Sequence, residues 1–499
     1  MKILFSLNII NTIINILFIK KYLHIFQLKD YNSKRYIKFF IPYKILFQVV
    51  NICTTLLLSL IPNLIIQCII FTCSIVLNIL FNINLIKQNK TPIRFTNKLK
   101  RLYVICLLIL IFSLFIAKIY AISSFLLIFT PIFANFINIY DKIKNFKFIK
   151  LAQKKLKASN AKIIAITGSN GKTSVKNILH KMLEIKYNVL SSPHSYNTPL
   201  GLSKFINNSC LINVNYIILE YGARNKNDIK NLCKIFGADY GIITTISPQH
   251  LETFKNINNI YLAKKELSNY LKNNLCVFNL DNEFTKQMFN EKQEKKLGIS
   301  INTKANIYAD NILFKNFKTE FDLHCLNSTH KIQTSLLGKH NIANILLSFS
   351  LAKELNIEDE KLVDCIKKLE PTPHRLEYIN GHIHILDDSY NCSISSAIEA
   401  INVLSQTPNK KMILTPGIIE GGKQQFNLNY DLGKMCNIAD YLVIVGETNK
   451  KAILAGLKSH NYKTKIFFAK DLEASKQLFS LLNKDDTLLI LNDLPDDYN

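Results

Sequence analysis

The sequence predicts an α/β protein with a P-loop-type central domain and a C-terminal Rossmann-like domain, preceded by about five transmembrane helices. Three observations predict it. Five long apolar runs crowd the first 140 residues, short apolar runs alternate with amphipathic stretches from Lys162 onward, and the loop GSNGKTS (168–174) joins one apolar run to one such stretch. The expected boundaries are 1–150 for the membrane domain, 151–370 for the central domain and 371–499 for the C-terminal one.

The apolar runs are 3–19, 45–61, 64–86, 102–117 and 121–140. Each is long enough, or nearly so, to cross the roughly 30 Å hydrocarbon layer as a helix. Basic clusters around Lys20–Lys38, Lys87–Arg101 and from Lys142 follow the first, third and fifth runs. Placing all three clusters in the cytoplasm requires five spans with the N-terminus outside, so the remaining 350 or so residues would be cytoplasmic at the inner membrane. A cleaved signal peptide at residues 1–20 would leave the four later runs unexplained and lacks a small-residue cleavage site. The formal charge of +26 does not point to nucleic acid, because the loops flanking the runs hold much of it and no compact basic patch alternates with aromatics. The 11 cysteines are scattered, with no C-x-x-C pair, and read as reduced core or membrane residues.

In the second part, IIAIT (163–167), YIILE (216–220), GIITTI (241–246) and CVFNL (276–280) read as buried strands, with helical patterns at 174–186, 257–272 and 341–355. Residues 300–335 are more polar and predict a small antiparallel excursion. After PTPHRLE (371–377), HILDDSY, KMILTPG, YLVIVGE, KIFFA and TLLILND predict a second set of strands, with helices SSAIEAINVLS and DLEASKQLFSLL between them.

Strand, glycine loop and helix together turn backbone N–H groups, the positive end of the helix and an ammonium toward one polyphosphate. Gly168, Ser169, Asn170 and Gly171 form the loop, Lys172 supplies the ammonium, and Thr173 and Ser174 open the helix, with the Thr173 hydroxyl placed for magnesium. The general pattern G-x-x-x-x-G-K-[ST] wants glycine at position 166, where this chain has isoleucine.

The variant T-G-S-N-G-K-T-S resembles the Mur ligases, which build the stem peptide of bacterial cell walls. The resemblance runs from about 160 to 499 and includes further motifs in the family's order: YNTPLG (196–201), LEYGA (219–223), SPQHLETF (247–254), LAKKEL (262–267), GKHNIAN (338–344), HRLE (374–377) and DDSYN (387–391). DDSYN, and the GA after the acidic residue, look most like the branch that joins D-alanyl-D-alanine to a UDP-muramoyl-tripeptide. The reaction so implied is ATP-driven amide formation through an acyl phosphate, in which the protein contributes positioning and charge neutralisation.

The resemblance also implies roles. Lys172 would hold the β- and γ-phosphates. Glu220, at the end of a buried strand, would hold one magnesium ion; taken alone it could equally cap the next helix. His250 would ligate a second magnesium, although a lone histidine after a strand is more often a structural hydrogen-bonding group. Lys264, beside Lys265, reads alone as part of an exposed basic face; the family implies a carbamylated lysine on the second magnesium, which requires burial and a lowered pKa. Asn341 and Asn344 would contact adenine, with Asn341 also able to cap its helix. Arg375 would meet the γ-phosphate and Asp388 the ribose, while Asn197, Thr198 and Asn391 would hold the substrates.

Two departures stand out. The family's N-terminal domain, which grips the UDP-sugar, has no counterpart in the roughly 20 residues between the last apolar run and the loop strand. The membrane segment takes its place, either as an anchor or because the acceptor is lipid-linked. ARNKND (223–228) and TPGIIEGG (415–422) also differ from the family's usual patterns and leave the acceptor open. Two rival readings are a different ligase of this superfamily, adding glutamate or amidating a lipid-linked precursor, and a transporter or sensor with a nucleotide-binding module. The latter should carry ionisable residues inside its spans, whereas only Lys44 and Lys118 lie at their edges.

Overall fold

A computed structural model describes residues 2–28, 31, 33–40, 61–86, 93, 95–115, 126–193, 196–248, 251–326, 328–390, 393–419, 421, 424–459 and 461–492. The chain divides into a unit formed by Met1–Phe146 and a unit formed by Lys147–Asn499.

In the first unit the described helices are Lys2–Leu28, Ser33–Phe40, Leu64–Ile86, Asn97–Phe115 and the start of Leu126–Lys157. Of the five expected spans, the described residues establish one: the helix Ile3–Leu28 is long and apolar enough to cross a membrane, while in the 23-residue helix Leu64–Ile86 the fully described apolar stretch is Leu64–Leu80. Two of the other helices carry charge toward one end. Asn97–Phe115 spends its first turn on Lys98, Lys100 and Arg101, and Leu126–Lys157 turns basic after Tyr140. The run 45–61 lies, except for its last residue, outside the described residues, as do 116–125.

The second unit holds two sheets. The first contains β1 (Lys162–Thr167), β2 (Val189–Ser191), β3 (Tyr216–Glu220), β4 (Tyr240–Ile243), β5 (Cys276–Asn279), β6 (Lys296–Ser300), β7 (Ile307–Lys315), β8 (Lys318–Cys325) and β9 (Ser328–Thr334), in the order β2-β3-β1-β4-β5-β6-β7-β8-β9. Pairing is parallel from β2 through β7 and antiparallel for β7-β8-β9, which is the polar excursion the sequence predicts. Strand β1 is buried on both faces, which is why it reads as a continuous apolar run rather than an alternating one. Ile164 and Ile166 pack with Val175, Leu179 and Met182 of the helix Lys172–Leu183 and with the helix Lys339–Glu354. On the other face Ile163 and Ala165 join Ile229, Leu232 and Leu267 from the helices Asp228–Phe236 and Ile257–Tyr270.

The second sheet has the order β10-β11-β15-β12-β13-β14, built from β10 (Glu377–Ile379), β11 (His384–Asp388), β12 (Lys411–Thr415), β13 (Tyr441–Val445), β14 (Lys465–Ala469) and β15 (Thr487–Leu491). All its pairs are parallel except β10-β11. The helix expected over DLEASKQLFSLL is one α-turn, Leu472–Ser475, continued as a 3-10 helix, Lys476–Leu481.

On this sheet the helices Gln425–Met435 and Lys450–Lys458 pack at backbone distance. A Cβ on Gly456 would lie 1.9 Å from the Tyr430 carbonyl oxygen, and one on Gly433 would lie 2.1 Å from that of Ile453. Backbone cannot yield as a flexible side chain would, so Gly456→Ala is expected to destabilise this domain by about 1–3 kcal/mol. A thermal melt checks this; an unchanged midpoint would contradict the close approach.

Candidate active site

The order β3-β1-β4 makes β1 the place where the chain crosses from one half of the sheet to the other, and clefts form outside the carboxyl ends of strands at such a point. Register fixes what stands there. Ile166 pairs with Glu220 on one side, and Thr167 pairs with Ile243 on the other. The loop after Thr167 therefore has a carboxylate on its left and Thr244 and Thr245 on its right.

The loop is held by backbone and hydroxyl contacts. Ser169 N donates to the Thr245 carbonyl at 2.7 Å, and Ser169 Oγ donates to the Ser247 carbonyl at 3.0 Å while accepting from Ser247 N at 3.1 Å. Gly168 (φ +151°) lies where a Cβ would stand 1.9 Å from Thr244 Oγ1, and Gly171 (φ +80°) where one would meet Asn344 Oδ1 at 2.6 Å. Both glycines are thus required by conformation and by space. Asn170 Nδ2 donates at 3.1 Å to Ser247 Oγ, Ser393 Oγ and Ser395 Oγ, tying the loop to residues beside the second sheet.

Lys172 Nζ folds back on the loop, donating at 2.8 Å to the carbonyls of Gly168 and Ser169. Burial lowers its pKa to about 8, against the pull of Glu220. Thr173 Oγ1 donates to Glu220 Oε2 at 3.2 Å. The other carboxylate oxygen, Oε1, lies 2.8 Å from Nζ of Lys176, and both side chains are almost fully buried. Glu220 is therefore no helix cap. Thr173 Oγ1 and Glu220 Oε2 are two hard oxygen donors at one end of the cleft, a set that suits magnesium.

Lys264 is only 4% exposed on the helix Ile257–Tyr270. Desolvation, with the Lys172 charge adding to it, holds its ammonium well below the usual lysine range; Asp228 and Glu266 oppose this. Lys265, by contrast, is partly exposed, paired with Glu291 and raised in pKa. An ammonium is no magnesium ligand, and the lowered pKa shifts Lys264 toward the neutral amine, the form that reacts with carbon dioxide.

One cleft of about 550 Å³ is lined by the loop, Thr173, Asn197, Thr198, Glu220, Lys264 and Arg375. A neighbouring cavity of about 510 Å³ is lined by Asn170, Gly171, Asn344, Arg375 and Asp388, together with His340. Arg375 faces both, with its guanidinium 4.4 Å above the ring of Tyr390. Asp388 Oδ1 accepts Leu376 N at 3.1 Å, fixing the HRLE segment that carries Arg375. Thr198 Oγ1 accepts Gly201 N at 3.2 Å and caps the helix Pro199–Asn208.

Asn341 does not cap its helix. Gly338 holds that position, and Asn341 Nδ2 donates back to the Leu337 carbonyl at 2.9 Å while its Oδ1 accepts from Asn344 Nδ2 at 3.2 Å. Asn341 faces a different hollow, beside Asn177 and Pro371, rather than the one lined by Asn344. His250 and Asn391 lie outside the described residues. Sequence reasoning missed Lys176, one turn beyond Lys172, and His340, whose Nδ1 is buried with no hydrogen-bond partner among the described residues and whose pKa burial lowers to about 4. Nothing in the spacing of Lys176 distinguishes it from a solvated lysine; only the β1-β3 register does.

Residues 166–352 match the Mur ligase middle domain. The chain is 31% identical over 340 residues to the UDP-N-acetylmuramoyl-tripeptide--D-alanyl-D-alanine ligase of Buchnera aphidicola subsp. Baizongia pistaciae, an alignment covering 65% of this chain and 73% of that one. It is 25% identical to the Escherichia coli enzyme of the same name, over 65% of this chain and 74% of that one. Among solved structures it is similar to the MurF ligase from Thermotoga maritima in complex with ADP, with a TM-score of 0.64 at 23% identity, over 70% of this chain and 80% of that one. Loop, carboxylate, buried lysine and arginine around one cleft thus accompany that relatedness, and the chain belongs to the Mur ligase family.

Proposed function

We propose that this protein joins D-alanyl-D-alanine to UDP-N-acetylmuramoyl-tripeptide at the expense of ATP, releasing ADP and phosphate. The observation that carries the reading is the convergence of GSNGKTS, Glu220, Lys264 and Arg375 on one cleft, in a chain whose similar relatives include ligases of that name. An oxygen of the tripeptide carboxylate attacks the γ-phosphorus, the bond to the β,γ-bridging oxygen breaks, and ADP departs. The dipeptide amine then attacks the acyl carbon, phosphate leaves, and the amine loses a proton. The loop amides and Lys172 hold the phosphates, and Arg375 meets the γ-phosphate from the side of the second sheet. Asn344 and Asp388 line the part of the site assigned to adenosine; Asn341 keeps a supporting role through Asn344. Asn197 and Thr198 border the acceptor end, and Thr198 combines this with helix capping.

Magnesium, bound by Thr173 and Glu220, would neutralise phosphate charge. A carbamylated Lys264 would add carboxylate-like oxygens toward a second ion shared with His250. Membrane attachment of the N-terminal unit, in the inner membrane with the ligase unit in the cytoplasm, is part of the proposal. Its support is an inverted polarity: the helices expose Ile3, Leu17, Ile65, Leu108 and Phe136 while burying Asn8, Asn11, Asn15, Ser74 and Asn78. Asn78 Nδ2 donates to Asn15 Oδ1 at 3.1 Å, a bond of the kind that joins helices in lipid. In water, apolar exposure on this scale would favour aggregation or a partner.

Phosphate release by the purified protein with ATP, magnesium and UDP-muramoyl-tripeptide is expected only when D-alanyl-D-alanine is added; stimulation by D-glutamate or ammonia instead would overturn the choice of nucleophile. With ¹³C-bicarbonate, a carbamate resonance is expected that Lys264→Ala abolishes and Lys265→Ala retains, and Lys264→Ala should lower kcat by about 100-fold. An identical spectrum for both variants would remove the carbamate. On fractionation, the protein should stay with membranes through alkaline carbonate and come off with detergent; release by carbonate alone would refute attachment through the Ile3–Leu28 helix.

A further inference from the structure

We infer that Lys176 is a positioning residue for the metal-facing carboxylate. The side chains of Lys176 and Glu220 are 2% and 1% exposed, and Nζ stands 2.8 Å from Oε1. The remaining oxygen, Oε2, faces Thr173 Oγ1 at 3.2 Å. The carboxylate is thus divided: one oxygen is committed to an ammonium on the protein side, and the other is presented at the helix start beside the phosphate loop. Lys176 and Thr173 lie three residues apart on the helix Lys172–Leu183 and so share a face. One rigid helix thereby sets the hydroxyl, the phosphate-binding ammonium of Lys172 and the rotamer of Glu220 at once.

An isolated carboxylate at this burial would be strongly disfavoured, and a lone pair of oxygens would be free to turn. Lys176 answers both needs, and the charge it neutralises leaves a single oxygen to serve a cation. An ammonium this near a bound cation would also repel it. The two effects predict opposite outcomes on removal: loss of positioning weakens cation binding, whereas loss of repulsion strengthens it. We assign positioning as the dominant effect, because the ion pair at Oε1 and the Thr173 hydrogen bond at Oε2 restrain the carboxylate from both sides.

The inference rests on the nucleotide-site reading for its metal but not on the identity of the acceptor. It is tested with the full chain in detergent by binding of Mn²⁺ in the presence of ADP, read by electron paramagnetic resonance, beside ADP affinity without metal and a thermal melt. Lys176→Met is expected to bind Mn²⁺ about tenfold more weakly with metal-free ADP affinity unchanged. Mn²⁺ binding by folded Lys176→Met that equals or exceeds wild type overturns the inference. Should that variant melt below the assay temperature, the cycle through Glu220→Gln decides. If Lys176 acts through Glu220, Lys176→Met is silent when added to Glu220→Gln, with Mn²⁺ affinities within about twofold; a further tenfold change would mean that Lys176 acts independently, and overturns it. A wild-type chain that holds no Mn²⁺ with ADP would overturn the nucleotide reading itself, and this inference with it.

Discussion

Everything in the ligase unit depends on the parallel pairing of β1 with β3 on one side and β4 on the other. The pairs Ile166–Glu220 and Thr167–Ile243 bring a carboxylate and a run of hydroxyls to opposite sides of the same glycine loop. A slip of one residue would turn every side chain of β3 to the opposite face. Ile217 and Leu219 face one layer of helices and Ile218 the other, so burial on both faces forbids that slip. The core thereby sets the geometry of the site as well as the stability of the fold.

From that register the polar network follows. Glu220 meets Lys176 and Thr173 because the helix leaving the loop packs across β1 and β3, and Gly168 can turn beside Thr244 because it carries no Cβ. Asn170 bonds to Ser393 and Ser395, so the loop also reads the position of the second sheet. Arg375 enters between them from a segment clamped by Asp388. Binding energy from one nucleotide can therefore be used to align groups that come from both sheets.

Much of this was legible in the residues, for physical reasons. Strands β1, β3, β5 and β15 are buried on both faces and announce themselves as apolar runs, and the loop announces itself by its glycines. The three-residue strands β2 and β10 carry too short a pattern to stand out, and β6 is interrupted by Gly298. Lys176 was invisible because its partner is 44 residues away in sequence (220 minus 176) and is set by strand register. Asn341, expected at adenine, could also have capped its helix because Asn does so often, yet Gly338 at φ +85° already turns the chain there. Among the described residues the membrane spans are fewer than the apolar runs suggest, for a related reason. In an Ile-rich chain, apolar runs carry little positional information, and charged first turns such as Lys98–Arg101 shorten the apolar part of a helix that looks long enough by its run alone.

The most direct test of the account is a crystal structure of the ligase with ADP and Mn²⁺, using the anomalous signal of manganese. The account predicts the ADP phosphates on the amides of residues 168–174 and a manganese peak within about 2.2 Å of both Thr173 Oγ1 and Glu220 Oε2. Nucleotide or metal bound elsewhere, with Glu220 still closed on Lys176 and Thr173 alone, would contradict it.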